Sequence, residues 1–118
     1  MDNSTLLHKR CIPCEGGVSP ASDEAISGLL PQVPEWVVLE IEKNGVRMKT
    51  LQRQMVFSDF SAAMAFLRKV ENLAESEGHH PDFCVRYNKV DFTLYTHAIR
   101  GLHENDFILA AKIDQLRS

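Results

Sequence analysis

A chain of 118 residues, 44% apolar and 25% charged, has the length and composition of one globular domain, which hides roughly two thirds of its unfolded surface on folding. That composition excludes a disordered chain, and no apolar run reaches membrane-spanning length. A formal net charge of −3 argues against phosphate-backbone binding as the main activity, so no nucleic-acid partner is expected, and three cysteines are too few for a disulfide framework.

Residues 1–21 read as a flexible N-terminal tail, because HKRCIPCEGGVSP carries two glycines, two prolines and no apolar period. The polar start MDNSTLLHKR lacks the apolar segment of a secretory signal, which makes a cytoplasmic address the expectation. Cys11-x-x-Cys14 is a weak zinc or redox pattern, since a structural zinc needs four ligands and only His8 lies nearby. The folded domain is expected over residues 22–118. Ser22 followed by Asp23 and Glu24 signals a short helix, with Ile26, Leu29 and Leu30 on one face and Pro31 ending it.

From Trp36 the period becomes two, with Val37, Leu39 and Ile41 on one face. Asn44-Gly45 is a strong hairpin signal. A loop there sets Glu42 opposite Arg47, Ile41 opposite Met48 and Glu40 opposite Lys49, and the second strand runs to about Phe57. Ser58-Asp59 caps a long helix in which Phe60, Ala63, Met64, Phe66, Leu67, Val70 and Leu73 keep helical spacing until Gly78. Asp82 to Thr96 reads as a second hairpin around Asn88-Lys89, pairing Tyr87 with Val90, Val85 with Phe92 and Phe83 with Leu94. A last helix from about Glu104 to Leu116 buries Leu109, Ala110, Ile113 and Leu116. The order αββαββα implies an α+β fold, a four-stranded antiparallel sheet with helices packed on one face.

Four of five histidines fall between residues 79 and 103. Extending the second hairpin two pairs places His80 opposite His97, and His79 follows the long helix at the same end. Imidazole titrates nearest neutrality, so several together suit a reaction that needs both an acid and a base. Asp106 lies in the first turn of the last helix, where the dipole favours a negative charge, and Glu75 lies one turn before His79. Either carboxylate suits the fixing of a histidine tautomer.

Blander readings stand beside these. A histidine at an element end, such as His8 or His103, is ordinarily solvated or a cap, and Pro81 alone accounts for a loop after His79-His80. His, His and Asp can also hold zinc or iron. Adjacent strand residues point to opposite faces, however, and no H-E-x-x-H helix is present, so no metal is expected. Phosphate-binding glycine loops and the serine-hydrolase elbow are absent.

The spacing Glu75-x3-His79-His80-Pro81-x5-Tyr87-x9-His97-x8-Asp106 resembles the signature of the pterin-4a-carbinolamine dehydratases, as do the stretches EGHHP and YNKVDFTLYTHAIRGLHENDF. The similarity runs from about Ser22 to Leu116. The resemblance implies an αββαββα fold, a homodimer or homotetramer, and dehydration of 4a-hydroxytetrahydropterin to quinonoid dihydropterin, which recycles the pterin of aromatic amino acid hydroxylation. The pterin is then substrate, and no cofactor is expected. His79, His80 and His97 match the family's active-site histidines, Asp106 and Glu75 its acidic positions, and Gly78, Pro81, Tyr95 and Thr96 are supporting or substrate-binding candidates. Two departures are Gly78, often acidic in relatives, and His103, often Ser or Thr. Some relatives act as dimerisation or assembly cofactors for another protein, an alternative that would rest on exposed helix surface rather than on histidines.

Overall fold

Ser22 Oγ accepts the amide of Ala25 at 3.1 Å and starts α1 (Asp23–Leu29) in the computed structural model of the chain, which describes residues 6–12 and 19–117. Pro31 sits in a 3-10 turn, Leu30–Gln32, that ends the element. Strands β1 (Val37–Lys43) and β2 (Val46–Val56) follow, then α2 (Phe60–Glu77), β3 (Asp82–Arg86), β4 (Lys89–Leu94) and α3 (Glu104–Arg117). This is the expected αββαββα order, in one α+β domain. The sheet is antiparallel with strand order β1-β2-β4-β3. Among the described residues no helix is long and apolar enough to cross a membrane.

The first hairpin turns on Asn44 (φ 53°) and Gly45 (φ 79°), both left-handed as this loop requires, and its register matches the sequence expectation pair for pair. The charges pair differently. Arg47 reaches Glu40 diagonally at 3.6 Å, while Lys49 bonds Asp23.

The second hairpin departs from expectation. Its loop is Tyr87-Asn88, not Asn88-Lys89, so each partner shifts by two: Val85 pairs with Val90 and Phe83 with Phe92. The cause lies across the sheet, where Lys89 pairs with Val56 and Asn88 bonds Phe57 twice, through its carbonyl (2.8 Å) and its side-chain amide (2.9 Å). Those bonds draw Lys89 into β4 and leave Tyr87, at φ 54°, in the turn. A shift of two keeps every side chain on its face. Phe83, however, is half exposed at the sheet edge. The ion pair of Arg86 with Asp91 survives as a diagonal contact of 2.8 Å.

The core lies between the sheet and α2 and α3. Trp36, Leu51, Met55, Val90, Phe92 and Leu94 meet Phe66, Val70, Phe107 and Leu109 there. Asp59 caps α2 and Gly78 (φ 67°) ends it, and its inward residues Ala63, Phe66, Leu67 and Val70 are buried, whereas Phe60 and Met64 are exposed. Val37 and Leu39 lie on the sheet face opposite the helices and are about half exposed, so β1 contributes Val38 to the core instead.

Asp114 of α3 ties helix to sheet, accepting from Trp36 Nε1 at 2.8 Å and from Arg53 Nη1 at 2.5 Å. Burial pushes its carboxyl above the usual aspartate range despite both donors. Folding therefore favours the protonated carboxyl, and stability falls as pH rises from the unfolded value of 3.8 through the raised folded value, while the ionised form keeps its bonds to Trp36 and Arg53 above it. Arg53 Nε is buried without a partner, so Asp114→Ala strips the remaining acceptor from a half-satisfied cation. We expect that change to cost about 2–3 kcal/mol in urea denaturation at pH 7.

Part of the expected tail is docked. Leu6 is fully buried, Lys9 bonds Glu104 at 2.7 Å, and the amide of Cys11 donates to Glu77 Oε1 at 2.8 Å. A free tail over residues 1–21 therefore does not describe residues 6–12, which lie along α3. Cys14, half of the expected Cys11-x-x-Cys14 pattern, is outside the described residues. Burial alone would raise Glu77, but Lys112 at 2.7 Å and the Cys11 amide together hold it below the usual glutamate range. The same site pushes the Cys11 thiol up to about 12, through burial and the Glu77 charge. Iodoacetamide at pH 7.5, followed by peptide mass mapping, should therefore label exposed Cys84 and leave Cys11 unmodified.

Candidate active site

Three segments converge beyond the C-terminal end of α2. Gly78 takes the left-handed conformation and its amide bonds Ala74 at 2.9 Å, closing the helix and releasing His79-His80-Pro81 as a loop. The second segment follows β4. Thr96 and Gly101 form an isolated bridge around a 3-10 turn, His97–Ile99, that carries His97. Glycine is required at 101, because a Cβ there would come within 2.8 Å of Pro20. The third segment is the start of α3. His103 Nδ1 accepts the amide of Asn105 at 2.9 Å, and Asp106 Oδ2 accepts the amide of His103 at 3.0 Å. This is a reciprocal capping box with histidine in place of the usual hydroxyl residue.

Asp106 is 0% exposed and joins all three segments. Besides the His103 amide it accepts Thr96 Oγ1 at 2.9 Å and His79 Nε2 at 2.6 Å. A carboxylate with three donors only accepts, so the proton on His79 sits on Nε2 and Nδ1 is left as the acceptor. His80 Nε2 lies 2.5 Å from Glu75 Oε2, in a pair open to water on both sides. His97 Nε2 lies 3.0 Å from the Tyr95 hydroxyl, whose oxygen accepts Lys43 Nζ at 2.9 Å. That hydrogen bond pushes the Lys43 ammonium above the usual lysine range. The bond from an ammonium polarises the hydroxyl toward donation, so Tyr95 donates its hydrogen bond to His97 Nε2 and Nδ1 carries the imidazole hydrogen.

A cavity of about 320 Å³ opens between these groups, lined by Ile12, Gly78, His79, His80, Tyr95, Thr96, His97, Ala98 and Asn105. A groove of about 590 Å³ adjoins it along α2 and shares His80, with Glu75, Pro81 and Phe83 on its wall. Six of the sequence-derived candidates therefore share one cavity, Glu75 and Pro81 flank it, and Asp106 stands behind it. The route differs from expectation. β3 begins at Asp82 and β4 ends at Leu94, so His80 and His97 are not a cross-strand pair, and the observed register continued would oppose His80 to Tyr95. Glu75 serves His80 rather than His79.

Sequence reading missed Ile12, Ala98, Asn105 and Lys43. Lys43 is 52 residues from Tyr95 and reaches it through the β1–β2 hairpin, a contact with no local signal. Among the described residues no three His, Cys, Asp or Glu side chains are grouped closely enough to hold a metal ion. Long-range nitrogen-15 NMR at pH 8.5 should find His79 as the Nε2–H tautomer and His97 as the Nδ1–H tautomer. The same form at both rings would contradict these two hydrogen-bond chains.

Fold and cavity together define a small α+β protein whose polar cluster is equipped for proton transfer to a cavity-sized ligand. Residues 19–116 match the family described as pterin 4 alpha carbinolamine dehydratase. A protein of Methylococcus capsulatus, provisionally named a pterin-4-alpha-carbinolamine dehydratase, is 43% identical over 98% of this chain and 96% of its own. One from Halorhodospira halophila with the same provisional name is 43% identical over 95% of this chain and 97% of its own. A crystal structure titled as a transcriptional coactivator/pterin dehydratase from Brucella melitensis superposes with a TM-score of 0.71 at 28% identity, over 85% of this chain and all of that one. The chain belongs to the pterin 4 alpha carbinolamine dehydratase family.

Proposed function

We propose that the protein dehydrates 4a-hydroxytetrahydropterin, such as 4a-hydroxytetrahydrobiopterin, to quinonoid dihydropterin, recycling the pterin of aromatic amino acid hydroxylases. The pterin is substrate, and neither a metal nor an organic cofactor takes part. In the reaction the C4a–O bond breaks, the hydroxyl leaves as water with one added proton, and N5 gives up its proton as the C4a=N5 bond forms. A donor and an acceptor are needed together. The observation that carries this reading is that one cavity holds two histidines with opposite backing, His79 on the buried Asp106 carboxylate and His97 on a tyrosine hydroxyl that accepts from an ammonium.

His79, with Nε2 committed to Asp106, offers Nδ1 to the N5 proton, and the buried carboxylate faces the charge that results. His97 gives its Nδ1 proton to the departing hydroxyl while Nε2 takes the Tyr95 proton, and the Lys43 ammonium faces the oxygen left behind. His80 positions the substrate, Glu75 orients His80, and Gly78, Pro81 and Thr96 shape the rim. The cavity of about 320 Å³ lies within the range of small-ligand pockets.

One exposed apolar patch beside the cavity supports a second, protein-binding reading and the expected homo-oligomer. Phe60 and Met64 on the outer face of α2 are exposed (50% and 38%), and Phe83 stands over the groove beside them. Such a role would survive loss of the histidines.

Stopped-flow decay of 4a-hydroxytetrahydropterin tests the main reading. Wild-type protein should accelerate the decay, and His79→Ala and His97→Ala should each lose about 100-fold or more. Tyr95→Phe should lose about tenfold, and chelation with EDTA should change nothing. Decay at the spontaneous rate with wild-type protein would rule the reading out.

A further inference from the structure

The residues in front of the matched family region do more than pack. Ile12 is held by the side chain of Asn105, whose Oδ1 accepts the Ile12 amide at 3.0 Å and whose Nδ2 donates to the Ile12 carbonyl at 2.7 Å. Asn105 is 2% exposed, so a buried amide spends both its polar ends on a single backbone residue. One residue upstream, the Cys11 amide is held by Glu77, and its sulfur lies 3.5 Å from the Asn105 carbonyl. Leu6, fully buried, anchors the far end of the segment. Asn105 immediately precedes Asp106, so one helical turn holds both Ile12 and His79.

Pinned this way, Ile12 nevertheless leaves 61% of itself exposed on the wall of the cavity that His79, His80 and His97 share. Every other lining side chain is polar, aromatic or no larger than alanine. A bicyclic heterocycle has a polar edge, which the histidines suit, and a flat apolar face, which needs a packing surface. An exposed aliphatic side chain on a doubly hydrogen-bonded backbone supplies that surface without reorganisation.

We propose that residues 6–12 are a fixed wall of the substrate site and that Ile12 packs on the face of the bound pterin ring, with Asn105 as its positioning residue. The inference rests on the dehydratase reading and adds to it a binding contact from outside residues 19–116, where the family match lies.

Steady-state kinetics and amide hydrogen exchange test the two halves separately. Ile12→Ala should raise KM for 4a-hydroxytetrahydropterin about tenfold with kcat within about twofold, and Ile12→Leu should restore most of it. The Cys11 and Ile12 amides should be protected in the wild-type protein and lose about tenfold or more of that protection in Asn105→Ala, with thermal melting verifying that the variant is folded. An unchanged KM in folded Ile12→Ala overturns the substrate contact. Unprotected amides in wild-type protein overturn the fixed wall whatever the turnover. Protected amides in a wild-type protein that does not accelerate carbinolamine decay overturn the dehydratase reading and the contact with it, and are distinguishable from both other failures.

Discussion

A wholly buried carboxylate organises this molecule. Removing an ionised group from water costs several kcal/mol unless donors replace the lost solvent, and Asp106 finds three of them. The donors come from three separate stretches: the loop after α2 gives His79, the end of β4 gives Thr96, and the cap of α3 gives the His103 amide. Satisfying one charge thus fixes the relative positions of the segments that carry the cavity. His97 follows Thr96 and Asn105 precedes Asp106, so the wall residues are placed by the same requirement, one bond removed.

Elements governed by local chemistry were legible in the sequence. Ser22 and Asp59 cap helices through their own side chains, Gly78 ends one by its freedom at positive φ, and Asn44-Gly45 sets a register that holds over the whole of β1. The second hairpin was not legible, because its loop is chosen by β2 through Val56 and Phe57 rather than by the turn residues. The three histidines it grouped still line one cavity, for two reasons. A shift of two residues preserves faces, and the motif spacing of His79, His80, His97 and Asp106 is independent of pairing. The docked segment gave no signal at all, since Ile12 and Asn105 are 93 residues apart and their bond exists only in the folded chain.

The three histidines differ in how firmly they are held. The His79 side chain is 13% exposed and backed by a carboxylate at 0%, a geometry in which water cannot compete for the hydrogen bond. His80 and Glu75 are 61% and 72% exposed, so their pair is screened and worth little, and the ring is free to adjust to a ligand. His97 is surface-exposed but tethered, through Tyr95 at 7% exposure, to the rim of the β1–β2 hairpin. Rigid support therefore belongs to His79 and adjustable support to His80.

The remaining asymmetry is one of charge. A hydrogen-bond chain takes its direction from the group at its end: an anion can only accept and an ammonium can only donate. At His79 the chain ends in Asp106 and draws hydrogen outward, leaving a lone pair free. At His97 it ends in Lys43 and pushes hydrogen inward through Tyr95, leaving an N–H free. Two chemically identical rings become an acceptor and a donor without either ring differing in itself. The proposed dehydration takes a proton up at oxygen and releases one at nitrogen, and so calls for one ring of each kind.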